Sequence, residues 1–138
     1  METRNTLQKS LILQIAQELN HPSADNIYQA ISVKYPSVSR GTVYRNLTKL
    51  VALGKLQKVT LPDSADRFDK TTDKHYHLHC RICRRVDDAN LPYQTNILET
   101  ISDTKGYQIE RHDIVLEGIC PGCLEMSVNE SDADRVNR

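Results

Sequence analysis

Residues 75–83 read His-Tyr-His-Leu-His-Cys-Arg-Ile-Cys, three imidazoles and two thiols within nine residues. If 75–80 runs as a strand, side chains alternate between faces. His75, His77 and His79 then point one way and Tyr76, Leu78 and Cys80 the other. One ion cannot take both sets. Cys80-x-x-Cys83 supplies half of a tetrahedral Zn(II) site, and Cys120-Pro-Gly-Cys123 supplies the other half. Four thiolates leave no open coordination position, so this zinc is read as structural. The 36 residues between Cys83 and Cys120 are too many for an autonomous zinc ribbon. The zinc must therefore clamp a folded α/β unit, tying its first hairpin to its carboxyl end.

The histidines are left for a second metal. Carboxylates are available at Asp69, six residues upstream of His75, and at Asp88, on the strand that follows the Cys-x-x-Cys turn. Imidazoles with carboxylates suit Fe(II), Mn(II) or Zn(II), whereas thiolates favour zinc, so the two sites should differ in metal. His79, next to Cys80, reads as a solvated surface residue. His21, in a loop between helices, reads as an ordinary surface histidine on the sequence alone.

The elements that must position these groups follow from periodicity. Between Thr6 and Leu19, the residues Leu7, Leu11, Ile12, Ile15 and Leu19 recur at helical spacing. Pro22 disfavours helical geometry at His21, and Ser23 caps a second helix running through Ile27, Ala30, Ile31 and Val33. After a turn at 35–38, Ser39 caps a third helix with Val43, Leu47, Leu50 and Val51 as its buried stripe and Gly54 as its stop. Thr42, Arg45 and Lys49 lie roughly opposite that stripe, with Arg40 and Tyr44 on its flanks. Such a face can enter a major groove, Thr42, Tyr44 and Arg45 reading bases and Arg40 and Lys49 reaching phosphates. A short hairpin from Leu56–Leu61 and Arg67–Asp69 completes a winged helix.

The second domain is expected to run as a strand at 75–80, a strand at 84–89, a helix at 95–104 and a strand at 107–118. The fold class is α+β. Residues 1–70 form the winged helix-turn-helix DNA-binding domain with its hinge, residues 71–126 a small metal-binding α/β domain, and residues 127–138 a disordered tail.

Composition fits a partner of that kind. Of the 138 residues, 38% are hydrophobic and 26% charged, as in a soluble globular chain. The net charge of zero divides unevenly: residues 1–61 carry eight Lys and Arg against three acidic residues, and the remainder ten against fifteen, or +5 and −5. A basic amino-terminal module is an electrostatic footprint for nucleic acid. The first fifteen residues carry no apolar run and no stretch approaches a membrane span, so a cytoplasmic protein without a membrane partner is expected. In that reducing compartment paired cysteines are metal ligands rather than disulfides. A metal-dependent enzyme is the reading from another class. The chain has neither a nucleophile motif nor a glycine-rich ligand loop, and is read as a regulator rather than an enzyme.

The motifs His21-Pro22-Ser23-Ala24-Asp25, Ser39-Arg40-Gly41-Thr42-Val43-Tyr44-Arg45-Asn46-Leu47, Arg67-Phe68-Asp69, His75-Tyr76-His77, Cys80-x-x-Cys83, Asp88 and Cys120-x-x-Cys123 together resemble the ferric uptake regulator family. The resemblance runs from about Arg4 to Glu125 and is closest to the peroxide-sensing branch. It implies a homodimeric repressor of double-stranded, palindromic operator DNA, with the carboxyl-terminal domain as the dimerisation domain. It also implies regulatory Fe(II) or Mn(II) bound by His21, Asp69, His75, His77 and Asp88, with His21 and His75 as the residues that peroxide oxidises. Iron- or zinc-responsive regulators of the same family are the nearest alternative, and iron-sensing relatives usually carry Glu where this chain has Asp69 and Asp88. An additional site that many relatives build around the His75 position is incomplete here, its flanks being Lys74 and Tyr76, and His112 is expected to be a strand histidine with a structural or surface role.

Overall fold

The computed structural model describes residues 4–129 and divides the chain into two compact units, one ending at Asp73 and the other starting at Lys74. From residue 130 the expected tail lies outside the described residues. Residues 127–129, assigned to that tail, instead finish a helix. No helix among the described residues is long and apolar enough to cross a membrane.

The first unit contains α1 (Arg4–Glu18), α2 (Ala24–Lys34), α3 (Arg40–Ala52), β1 (Gln57–Val59) and β2 (Arg67–Asp69). The starts of α2 and α3 have a sequence cause. Ser23 and Asn26 form a reciprocal capping box, Asn26 N donating to Ser23 Oγ at 3.1 Å and Ser23 N to Asn26 Oδ1 at 3.0 Å. Ser39 Oγ accepts from Thr42 N at 3.1 Å to start α3. Gly54, at φ 75, ends the turn after α3 in a conformation that side chains disfavour.

Ile12 and Ala16 of α1, Ile27 and Ile31 of α2, and Val43 and Leu47 of α3 meet with Phe68 of β2 in one buried cluster. Full burial of each large aliphatic side chain stabilises by about 1.5–3 kcal/mol. Val33 does not join it. At 83% exposure it faces solvent, because two residues beyond Ile31 is about 200° around a helix. Ala30, Leu7 and Leu19 are likewise exposed. The wing is an antiparallel pair with Gln57 opposite Asp69 and Val59 opposite Arg67.

The second unit contains β3 (Tyr76–Cys80), β4 (Val86–Ala89), a single 3-10 turn (Ile97–Thr100), β5 (Val115–Gly118) and α4 (Pro121–Asn129). Its sheet has the order β4-β3-β5, with β3 antiparallel to β4 and parallel to β5. Two expected elements are much shorter. Of the helix at 95–104 only the 3-10 turn forms: Thr95, Asn96, Thr100, Ser102 and Asp103 compete for backbone hydrogen bonds or lose rotamer freedom in a helix, and Leu98 and Ile101, each 40% exposed, bury no continuous stripe. Of the strand at 107–118 only 115–118 pairs. Both edges of β3 are taken, by β4 and β5, and among the described residues no further strand flanks Tyr107–Asp113.

Candidate metal centres and nucleic-acid interface

The parallel register sets Cys80 beside Gly118, two residues before Cys120, while the turn after β3 brings back Cys83. All four sulfurs lie within 4.8 Å of one another. Cys80 Sγ stands 3.8 Å from Cys123 Sγ, and Cys83 Sγ 3.7 Å from Cys120 Sγ. A tetrahedron with Zn–S bonds of about 2.3 Å has edges of about 3.8 Å, so the sulfurs are placed for zinc. The backbone N–H groups of Cys120 and Cys83 point at Cys80 Sγ from 3.4 and 3.5 Å. They, with Cys120 the larger influence, pull the Cys80 thiol down to about 5. The Cys123 thiol is pushed up to about 12, first by its interaction with the Cys120 sulfur and then by desolvation. A crowd of sulfurs that cannot all ionise alone is what a divalent cation resolves.

On the opposite face of β3, His75 and His77 converge on Asp88 of β4. Asp88 Oδ1 is 3.0 Å from His75 Nε2 and 3.8 Å from His77 Nε2, and the two rings lie 4.5 Å apart. The register explains this, since His77 is the direct partner of Asp88 across the ladder. A cation bonded at about 2.1 Å holds neighbouring ligand atoms about 3 Å apart, so these donors suit one ion. His79 departs from expectation. It is 2% exposed, and among the described residues neither ring nitrogen has a hydrogen-bond partner, whereas Leu78 is 43% exposed. Burial does not alternate along β3: Tyr76, His77, His79 and Cys80 are all buried, and only Leu78 reaches solvent.

In the first unit His21 is also buried, at 7% exposure, rather than a surface loop residue. Its Nε2 faces Asp69 Oδ2 at 3.2 Å, and its Nδ1 lies 2.8 Å from Asn20 Oδ1. The loop is stitched to β2: Arg67 Nη1 donates to the His21 carbonyl at 3.1 Å, and Phe68 N donates to the Pro22 carbonyl at 2.8 Å. These bonds hold His21 at φ 46, a left-handed conformation uncommon for a residue with a side chain. Burial lowers the Arg67 guanidinium below its ordinary range. Asp69 in turn accepts from Thr71 N at 2.9 Å.

The outward side of α3 presents Arg40, Tyr44, Arg45 and Lys49, with Thr42 half-buried. Arg45 Nη2 donates to Thr42 Oγ1 at 3.2 Å, and a side chain at Gly41 would crowd the Arg45 guanidinium at 3.3 Å. Arg40 is engaged within the protein, paired with Asp25 and lying 4.3 Å over the Tyr28 ring.

Sequence reasoning missed three groups: Asn20, Arg67, and a cluster around Tyr76. Gln94 N donates to Tyr76 Oη at 2.9 Å, and Tyr76 Oη is hydrogen-bonded to His112 Nε2 at 2.7 Å. Tyr93 stacks on both rings, 5.1 Å from Tyr76 and 4.7 Å from His112. His112 is thus half-buried in a segment outside the strands, not a strand histidine. No spacing rule links residues 76, 93 and 112.

Residues 1–117 match the model of the ferric uptake regulator family. The chain is 32% identical over 123 residues to a peroxide-responsive repressor of Staphylococcus epidermidis, covering 88% of this chain and 82% of that one. Among solved structures it is similar to the Campylobacter jejuni peroxide stress regulator, with a TM-score of 0.64 and 26% identity over 87% of this chain and 91% of the other. It also shares its fold with a zinc uptake regulator complexed with zinc and DNA, at a TM-score of 0.69 and 22% identity, over 91% of this chain and 87% of that one.

Proposed function

The chain belongs to the ferric uptake regulator family, and from that membership we propose that it is a metal-dependent transcriptional repressor, released from DNA when peroxide oxidises its regulatory centre. Members of the family bind DNA as dimers. In this reading the helix α3 of each of two copies enters a major groove, Thr42, Tyr44 and Arg45 reading bases and Arg40 and Lys49 reaching phosphates. Two-fold symmetry then demands a palindromic operator with half-sites about 34 Å apart or a multiple of that. The working compartment is the cytoplasm, where thiols stay reduced.

Cys80, Cys83, Cys120 and Cys123 hold structural Zn(II), which supports the fold of the second unit. His21 and Asp69 from the first unit, with His75, His77 and Asp88 from the second, are the ligands of regulatory Fe(II) or Mn(II). Its supporting observation is the donor set: imidazoles facing aspartates, with no thiol among them. Such ligands favour Fe(II) and Mn(II) over the softer choices of the cysteine site. Bound Fe(II) supplies the reducing chemistry that activates peroxide, and Mn(II) supplies it poorly. The chain would hold His21 and His75 beside the bound iron, where a ring would take up one oxygen from a peroxide molecule and the other oxygen would leave as water. An oxidised imidazole would be a weaker ligand, so the cation would be released and the metal-dependent affinity for DNA lost. The cysteines play no part in this step, because zinc-bound thiolates are shielded.

The test is operator binding by protein purified without oxygen and loaded with Fe(II) or Mn(II), before and after a small excess of peroxide, with peptide mass spectrometry. The iron form should leave DNA with oxygen added at His21 or His75, and the manganese form should stay bound. Release of the iron form without oxygen on either histidine would sink the mechanism.

A further inference from the structure

We propose that Asn20 is a positioning residue of the regulatory centre: its side-chain oxygen accepts a hydrogen bond from His21 Nδ1–H, holds the proton on Nδ1 and so commits Nε2 to the cation. The inference rests on the reading of His21 as a regulatory ligand.

The backbone at this point has little freedom. The Arg67 bond to the His21 carbonyl, the Phe68 bond to the Pro22 carbonyl and the bridge between Ser23 and Arg67 fix residues 21–23 against β2, with His21 at φ 46. What this leaves open is the ring itself. A neutral imidazole has one N–H and one lone pair, and exchanging them changes a ligand into a hydrogen-bond donor. Asp69 Oδ2, 3.2 Å from Nε2, can only accept. With the proton on Nε2, His21 would satisfy Asp69 directly and offer no lone pair to a cation between them. With the proton on Nδ1, two acceptors face each other, and a cation is what reconciles them.

Asn20 selects the second state. Its Oδ1 lies 2.8 Å from Nδ1, a position that only an N–H can use well. Histidine ligands generally donate their other ring N–H to an oxygen, and loss of that oxygen typically weakens metal binding 10–100-fold. Asn20 is exposed at the end of α1 and outside the buried core, so its replacement should not disturb the fold.

The experiment uses the full chain with Asn20→Leu, Asn20→Asp and His21→Ala. Mn(II) affinity is measured by calorimetry, and the diamagnetic zinc-loaded protein is examined by nitrogen-15 NMR of the histidine rings. Asn20→Leu should bind Mn(II) about tenfold more weakly with unchanged thermal unfolding, and Asn20→Asp, which keeps the accepting oxygen, should restore affinity. In wild type the His21 ring should carry its proton on Nδ1 and its metal on Nε2. Unaltered Mn(II) affinity in Asn20→Leu, failure of Asn20→Asp to restore it, or a metal on Nδ1 would each overturn the role of Asn20. The underlying ligand reading fails separately, if His21→Ala itself binds Mn(II) like wild type.

Discussion

The four cysteines differ although the sequence presents them as two equal pairs. Cys80 receives two backbone N–H groups and is a thiolate down to about pH 5, while Cys123 holds its proton up to about pH 12 without metal. At pH 7 the apo site therefore binds zinc only by expelling at least the Cys123 proton. Calorimetry in buffers of different ionisation enthalpy should register that release, and Cys123→Ser should abolish it together with tight zinc binding. The sign for stability runs with the depressed group: zinc support from the Cys80 thiolate is fully present above its ordinary range and fades as pH falls through about 5. At this scale the thiol site could be read in the sequence, because Cys-x-x-Cys spacing is a local property. The burial of His79 and the approach of Asn20 to His21 could not. Both depend on which face of an element ends up covered.

Among the elements, α3 and its cap followed from pattern because helix period, capping serine and terminal glycine all agree over residues 39–54. Arg45→Ala should cost about 1–3 kcal/mol of operator affinity and relax specificity, whereas Lys49→Ala should weaken all sequences alike, as competition binding would show. Asp25 adds a prediction that the sequence did not suggest. It occupies the Arg40 guanidinium, so Asp25→Asn should strengthen DNA binding and steepen its dependence on salt by up to about one ion. An unchanged slope would mean that Arg40 meets no phosphate. The segment from 95 to 113 was misread because a 3.6-residue or two-residue period is only a tendency that packing must reward. What anchors this segment is the Tyr76 hydroxyl, joined to Gln94 and His112. Tyr76→Phe leaves the Gln94 N–H and His112 without that partner, and thermal unfolding should show a loss of about 1–3 kcal/mol.

For the molecule as a whole, the decisive variant is His21→Ala. It lies in the unit that carries α3, whereas the zinc cysteines lie in the other. His21→Ala should keep its zinc, fold and dimerise, yet lose the gain in operator affinity expected of Mn(II) in the wild type; sedimentation and DNA titration with and without Mn(II) separate these properties. If Mn(II) still raises affinity as before, the two units are not coupled through this residue. The parallel pairing of β3 with β5 has a further consequence, for the order in which the chain is made. A β3–β4 hairpin can form as soon as its own residues exist, but the partner of Cys80 across the parallel ladder is Gly118, and the remaining sulfurs come at 120 and 123. Such distant contacts form late and slowly. During vectorial synthesis the winged helix is complete before any of these sulfurs has emerged, so a nascent chain can present a DNA-reading helix well before it can close its zinc clip. A product that stops short of Cys123 lacks one of the four sulfurs and cannot complete the clip, so limited proteolysis should cut its second unit faster than that of the full chain.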